Sequence, residues 1–264
     1  MHGLVIIGGG RMGEALLGGL LSGGWSPSDL AVVETLPDRR DQLAGAHPGV
    51  EVAAEPVAAS GAVIAVKPGD VPGAIGAAVD AGATRILSIA AGVTIERLQS
   101  AAGGGVAVVR AMPNTPALVG VGASAIAAGP TATDADLDWA ESVLAAVGTV
   151  VRVTEPQLDA VTGLSGSGPA YVFLVAEALT EAGVLTGLPR DTAAQLVAQT
   201  LLGSATLLAQ SDEGPEALRA GVTSPGGTTA AGLRALEAAG VRAALIDAVV
   251  AARDRAVELG RSTS

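Results

Sequence analysis

The chain has 264 residues, and 15 Lys and Arg stand against 26 Asp and Glu, a formal net charge of -11. An acidic chain without a basic block excludes DNA, RNA and anionic membrane surfaces as expected partners, because neutralising phosphates takes clustered Lys and Arg. With no cysteine and only His2 and His47, disulfides, thiolate nucleophiles and multi-His metal sites have no raw material, and a reducing, cytoplasmic setting is expected.

The N-terminus, MHGLVIIGGG, lacks the basic segment of a secretory signal and runs from a strand at 4–7 straight into glycines. Gly8, Gly10 and Gly13 form G-x-G-x-x-G at the start of a helix over 12–21, with Gly9, Arg11 and Met12 in the same turn. Glycines there permit a tight turn and close approach of a pyrophosphate to the positive end of the helix. A second strand at 30–34 ends on Glu34, 21 residues after Gly13, where an acid binds ribose hydroxyls and favours NADH over NADPH. Arg39 and Arg40 lie close enough in sequence to reverse that preference.

Further strands follow at 50–53, 62–66, 85–89 and 106–110, with a helix at 71–81 between two of them. Short, continuous apolar runs suit strands buried on both faces, so the rhythm predicts an α/β domain with a parallel sheet. The carboxyl ends of such strands face the ligand crevice. Three segments stand there. Ala65 and Val66 lead into Lys67, the only lysine beside 14 arginines, and Pro68. Ala90, Ala91 and Gly92 are small enough for a ring to lie against the backbone, and Asn114, in RAMPNTP, offers its carboxamide either to a nicotinamide or to its own loop. Strands at 122–127 and 149–153 bracket a helix that Asp134, Asp136 and Asp138 would open favourably.

Beyond residue 153 the remainder reads as helices at about 156–163, 168–183, 190–209, 214–220, 226–238 and 241–260. The expected division is therefore a dinucleotide-binding domain at 1–153 and a helical domain at 154–264. No uninterrupted apolar run is long enough to cross a bilayer, since the richest stretch, 171–185, contains Glu177, Thr180 and Glu181. The 190–209 helix is apolar over most of its circumference, which predicts that a second subunit covers part of it. In GLSGSGPAY (163–171), Ser167 reads as a helix cap and Pro169 as part of the first turn. In TSPGGTT (223–229), Ser224 as cap, Pro225 at the first helical position and the amides of Gly226, Gly227 and Thr228 would make an anion site. From the residues alone, a dinucleotide-binding module without turnover and another two-domain imine or hydroxyacid reductase remain open. A hydroxyacid reductase would want a Lys or His in the helical domain, which has neither.

The ordered set of segments resembles the pyrroline-5-carboxylate reductase family over nearly the whole chain: the glycine fingerprint, AVKP at 65–68, SIAAGV at 88–93, MPNTP at 112–116, DAVTGLSGSGPAY at 159–171 and TSPGGTT at 223–229. The resemblance implies a Rossmann domain followed by an all-helical dimerisation domain, and a homodimer that in relatives assembles into larger rings such as a decamer. It implies reduction of the C=N bond of 1-pyrroline-5-carboxylate to L-proline with NADPH or NADH. By position it gives Thr229 as the catalytic residue on the imine nitrogen. It places Ser224, Gly226, Gly227 and Thr228 on the substrate carboxylate, and Glu155 in the wall of the substrate site. The chain departs from the family at VAAEP (52–56), where relatives carry an Asn near the ribose, and at Gly221, where many carry a polar residue near the cofactor.

Overall fold

The structure, a computed structural model, describes residues 1–262. The elements are β1 (His2–Ile7), α1 (Arg11–Ser22), β2 (Leu30–Val33), α2 (Pro37–Ala46), β3 (Glu51–Ala53), β4 (Ala59–Ile64), α3 (Val71–Asp80) and β5 (Arg85–Ser88). They continue with α4 (Ile95–Ala102), β6 (Ala107–Met112), β7 (Gly122–Ala128), α5 (Asp134–Ala145), β8 (Gly148–Arg152) and α6 (Gln157–Val161). Five longer or isolated helices complete the chain: α7 (Gly168–Leu185), α8 (Arg190–Gln210), α9 (Pro215–Gly221), α10 (Thr228–Ala238) and α11 (Val241–Ser262). Two compact units result: Met1–Ser167 with the chain from Val250 onward, and Gly168–Val249.

The first unit holds one sheet in the order β3-β2-β1-β4-β5-β6-β7-β8. Strand alternation sends Leu4 and Ile6 into one core, with Leu16, Leu17, Leu20 and Val143, and Val5 and Ile7 into the other, with Ile64, Ile75 and Leu98. Burial on both faces explains why these strands read as unbroken apolar runs. Expectation and structure differ at the far edge. β7 pairs antiparallel to β6, with Arg110 opposite Ala127, so the all-parallel sheet expected from the sequence holds only through β6. α2 and α4 were also not anticipated; α2 buries only Leu43 and carries little apolar pattern, and α4 is a short helix.

The β texture ends at Arg152, yet the first unit runs on to Ser167, because α6 packs back on the sheet and buries Leu158 against Ile95, Ala125 and Ala127. A single π turn, Thr162–Gly166, follows α6, and the Ser167 amide donates to the Thr162 carbonyl at 2.8 Å. Ser167 is itself helical (φ -84°, ψ -18°), so it continues the backbone towards α7 rather than capping it, while Pro169 falls in the first turn as expected. In the second unit, α7 and α8 approach closely where Gly183 meets Ala193: a Cβ on Gly183 would stand 2.9 Å from the Ala193 Cβ. α7 buries no residue and α8 only Ala193, leaving Phe173, Leu174, Leu202 and Leu207 more than half exposed in the single chain.

Two helical stretches, Gln157–Leu185 and Arg190–Gln210, reach mean hydropathies of 1.3 and 1.2 and are long and apolar enough on average to cross a bilayer. Neither is an uninterrupted apolar run: in the first, Glu177 and Glu181 break the sequence without lowering the average far.

Across the sheet, the Trp139 ring lies over Gly61 of β4 and carries the Arg85 guanidinium 4.6 Å from its centroid. A Cβ on Gly61 would meet Trp139 Cζ2 at 2.7 Å. Gly61→Ala is therefore expected to push α5 off the sheet and cost about 1–3 kcal/mol, measured as a lowered Tm.

Candidate active site

The strand order reverses direction of growth at β1 and β4, the place where open α/β sheets hold a ligand outside the strand ends. The turn leaving β1 is built around absent side chains. Gly8 has φ +111°, and a Cβ there would lie 2.5 Å from the Ala65 carbonyl oxygen; one on Gly13 would strike the Gly8 carbonyl. Gly10 differs. Its backbone (φ -68°, ψ -177°) suits any residue and nothing lies within 4 Å of its missing Cβ, so no neighbour in the chain demands glycine there. The open space lies at the start of α1, which has no side-chain cap. Its first amides, those of Arg11, Met12 and Gly13, have no partner within the helix and point outward with the positive end of the dipole. Such a cradle fits a dinucleotide pyrophosphate. The Met12 side chain packs against the core, so only its backbone faces the crevice.

A groove of about 350 Å³ continues from this turn, lined by Gly8, Gly10, Glu34, Leu36, Lys67 and Asp70 among others. Glu34 Oε2 accepts from the Gly9 amide at 3.1 Å and Oε1 from the Leu36 amide at 2.9 Å. Ala65 and Val66 form the far wall, and Lys67 stands exposed on the lip with no ion pair among the described residues. Below the turn, Arg39 donates from Nε to the Gly9 carbonyl at 2.8 Å and from a terminal nitrogen to Glu14 at 2.6 Å. That hydrogen bond holds the Glu14 carboxyl below its ordinary range, and desolvation opposes the shift without reversing it.

Two further strand ends complete the row. After β5, Ser88 is fully buried and Ala90 nearly so, with Ala91 exposed and Gly92 at φ +75°. After β6, Asn114 Nδ2 donates to the Ser165 carbonyl at 3.0 Å and Oδ1 accepts from the Ala123 amide at 2.8 Å. Of the two roles open to Asn114, its carboxamide performs the loop-holding one and binds the MPNTP turn to the π turn, where Gly166 leaves room for Met112. No local pattern marks this pairing, since it joins residues 51 apart.

Glu155 lines a second cavity, with Ile95, Gln99 and Pro130 among others. Its Oε1 accepts from the buried Arg110 guanidinium at 2.9 Å and from the Ile95 amide, the first of α4, at 2.6 Å. The carboxylate thus ties β6, the start of α4 and the exit from β8 together.

In the second unit, the TSPGGTT segment corrects the expected cap. Pro225 and Gly226 (φ +70°) form a turn in which the Gly227 amide donates to the Ser224 carbonyl at 3.1 Å. Gly227, not Ser224, is the N-cap of α10, and Pro225 precedes the helix. The unpartnered amides therefore begin two residues later, at Thr228, Thr229 and Ala230, and Gly227 donates to the Ser224 carbonyl. The Ser224 hydroxyl occupies the place a Cβ on Gly227 would take, so a side chain there would turn that hydroxyl away. Ser224, Thr228 and Thr229 are exposed in the single chain.

A family model described as pyrroline-5-carboxylate reductase dimerisation matches residues 155–259, and one described as NADP oxidoreductase, coenzyme F420-dependent, matches residues 3–92. The pyrroline-5-carboxylate reductase of Mycobacterium leprae is 45% identical over 286 residues, covering 98% of this chain and 97% of that protein. Among solved structures, a pyrroline-5-carboxylate reductase from Coxiella burnetii superposes with a TM-score of 0.93 at 36% identity, covering 98% of each chain. The pyrroline carboxylate reductase of Plasmodium falciparum, solved with NADP bound, gives 0.81 at 28% identity, covering 97% of each chain.

The two glycines separate ligand room from protein room. Gly10→Ala is expected to leave the Tm unchanged while weakening dinucleotide binding about tenfold or more in a calorimetric titration. Gly13→Ala should lower stability by about 2 kcal/mol or more and binding with it. Glu155→Ala, which strands the buried Arg110, should cost on the order of 2 kcal/mol by denaturant unfolding, moderated by the partial exposure of Glu155.

Proposed function

The chain belongs to the pyrroline-5-carboxylate reductase family and is an NAD(P)H-dependent oxidoreductase, and from that premise we propose how its own residues reduce the C=N bond of 1-pyrroline-5-carboxylate to give L-proline. The observation that carries the cofactor half is the open cradle at Gly10 above the unpartnered amides of α1. The reduced nicotinamide, when bound, supplies the hydride.

The amides of Arg11, Met12 and Gly13 hold the pyrophosphate, and Glu34 receives the ribose hydroxyls. Lys67 and Pro68 close one side, with Ala65 and Val66 behind them. Ala90, Ala91 and Gly92 give the nicotinamide a surface without side chains to displace it, and Asn114 fixes the adjoining turn. In the helical part, the amides of Thr228, Thr229 and Ala230, with the Ser224 hydroxyl and the Gly226 turn, take the substrate carboxylate at the positive end of α10. The Thr229 hydroxyl donates to the imine nitrogen and orients it; as the hydride reaches the carbon, the nitrogen takes up a proton, either the Thr229 hydroxyl proton, replaced from solvent, or one from solvent directly. Glu155, which also holds α4 and Arg110, we place in the wall of the substrate site.

We propose the functional division at 1–153 for the dinucleotide and 154–264 for dimerisation and substrate. The exposed apolar faces of α7 and α8 are covered by a second copy in a homodimer, and dimers assemble further into a ring such as a decamer. Burial of those faces between subunits also accounts for the two apolar stretches without a bilayer. The setting is cytoplasmic, with neither membrane nor nucleic acid as partner.

The purified protein should oxidise NADH or NADPH only when 1-pyrroline-5-carboxylate is present, followed by loss of nicotinamide absorbance. Thr229→Ala should lower kcat roughly tenfold or more with unchanged folding, as expected for a lost transition-state contact; near-normal turnover removes Thr229 from the mechanism.

A further inference from the structure

We propose that Arg110 is a positioning residue of the reduction: from inside the sheet it orients the Glu155 carboxylate, and that carboxylate, through the Ile95 amide, fixes the loop at 90–93 against which the nicotinamide lies. The inference rests on reading the end of β5 as the nicotinamide surface.

Arg110 is the one buried charged side chain among the described residues, with 9% of the side chain exposed. It stands on β6 opposite Ser88 of β5 and Ala127 of β7, and these short neighbours leave room for a guanidinium over the sheet. An arginine does not shed its proton, so burying it calls for a counter-charge. The 2.9 Å bond to Glu155 Oε1 is the only side-chain hydrogen bond that Arg110 makes among the described residues, so the compensation rests on Glu155 alone. Such a pair seldom gives more stability than apolar side chains of the same volume. Ile95, Ala125, Ala127 and Leu158 form an apolar cluster here that such side chains would extend. What the ion pair adds over them is a fixed direction for the carboxylate.

That direction is passed to α4. Glu155 Oε1 also accepts from the Ile95 amide, the first of the helix, at 2.6 Å, and so caps α4 from 60 residues away. The local cap is weaker, since the Thr94 hydroxyl accepts from the Arg97 amide at 3.4 Å. The loop ahead of α4 starts at Ser88, whose hydroxyl the Ala90 amide approaches at 3.4 Å. It passes through exposed Ala91 and through Gly92 at φ +75° to the buried Val93, and Glu155 then grips the chain at Ile95. A displacement of the helix start is thus carried into the loop, and a misplacement of about 1 Å costs on the order of 100-fold in rate. Glu155 Oε2 makes no hydrogen bond among the described residues, and the side chain stands one-third exposed in the wall of the cavity of about 580 Å³. One carboxylate therefore aligns the wall assigned to the substrate with the loop assigned to the nicotinamide.

The test is the single-turnover rate of NADH and NADPH oxidation by the intact enzyme at saturating 1-pyrroline-5-carboxylate, measured beside Tm and calorimetric dinucleotide binding. Arg110→Met should slow hydride transfer about tenfold or more, while the dinucleotide Kd, set by the glycine turn, stays within about twofold. Arg110→Lys keeps the charge without the planar fork and should fall between the two. The double variant Arg110→Met, Glu155→Gln carries neither charge, so its Tm should equal or exceed that of Arg110→Met. Its rate should stay at that of the slower single variant, because residues acting through one contact do not add. A rate that returns with Tm in the double variant, losses that multiply, or a rate in folded Arg110→Met within about twofold of the unsubstituted enzyme overturns the proposal. If Arg110→Met fails to fold, Arg110→Lys and the double variant carry the same comparison. Ala91→Leu tests the premise separately: it should also slow hydride transfer, and an unchanged rate removes the nicotinamide from this loop.

Discussion

The turn from β1 into α1 exists only because two positions lack a Cβ. At Gly8 the Ala65 carbonyl, and at Gly13 the Gly8 carbonyl, fill the volume a side chain would need. That close approach lets β1 and β4 lie side by side while the helices that follow them depart in opposite directions, and the cleft between those departures is the ligand crevice. The other pieces of the first unit line up on it. Ala65–Lys67, the SIAAG loop and the MPNTP turn stand at successive strand ends because β4, β5 and β6 run parallel to β1 in register.

What could be read in advance follows from what has a period or a spacing. The strands through β6 were legible because strands buried on both faces leave uninterrupted apolar runs, and the glycine fingerprint because its spacing is set by the turn itself. The reversal of β7 was not, since an apolar strand carries no mark of its direction. α2 escaped because it packs through one leucine and is otherwise polar. In TSPGGTT the signal was present and misread: Pro followed by Gly fits the central positions of a turn needing positive φ at the second, and Gly226 takes that conformation, which moves the cap to Gly227. The roles of Arg39, Asn114 and Glu155 lay beyond reach. Each depends on a partner 25 or more residues away that no local pattern reveals.

The second unit shows the opposite economy. α8 has apolar residues around most of its girth yet buries only Ala193 within the chain. In a core this poor in aromatics, side-chain volume comes from Leu, Val and Ala, and a unit of this size has too little interior to enclose two such helices. The family model for pyrroline-5-carboxylate reductase dimerisation matches residues 155–259, which include α7 and α8. In the homodimer proposed above, the apolar average that mimics a membrane span is a property of an interface.

The electrostatic character of the chain also bears on how it handles anions. A net charge of -11 should repel a dinucleotide and a carboxylate substrate alike, and few lysines or arginines are free to counter it. The positive potential comes from backbone. α1 and α10 both begin at a glycine N-cap with no side-chain cap, leaving their first amides for a ligand. α4 and α5 instead close their N-termini with Thr94 and Glu155 and with the Thr133–Asp136 pair, while α9 also begins at an uncapped glycine. Of the basic side chains near the crevice, Arg39 and Arg40 grip carbonyls and shape the turn, while Lys67 stands exposed on its lip. Amides held in a rigid turn are fixed in direction and carry no net charge, so they attract a bound anion at short range without requiring the acidic surface to change. Arginine serves here to build the cradle, and the cradle's amides face the ligand.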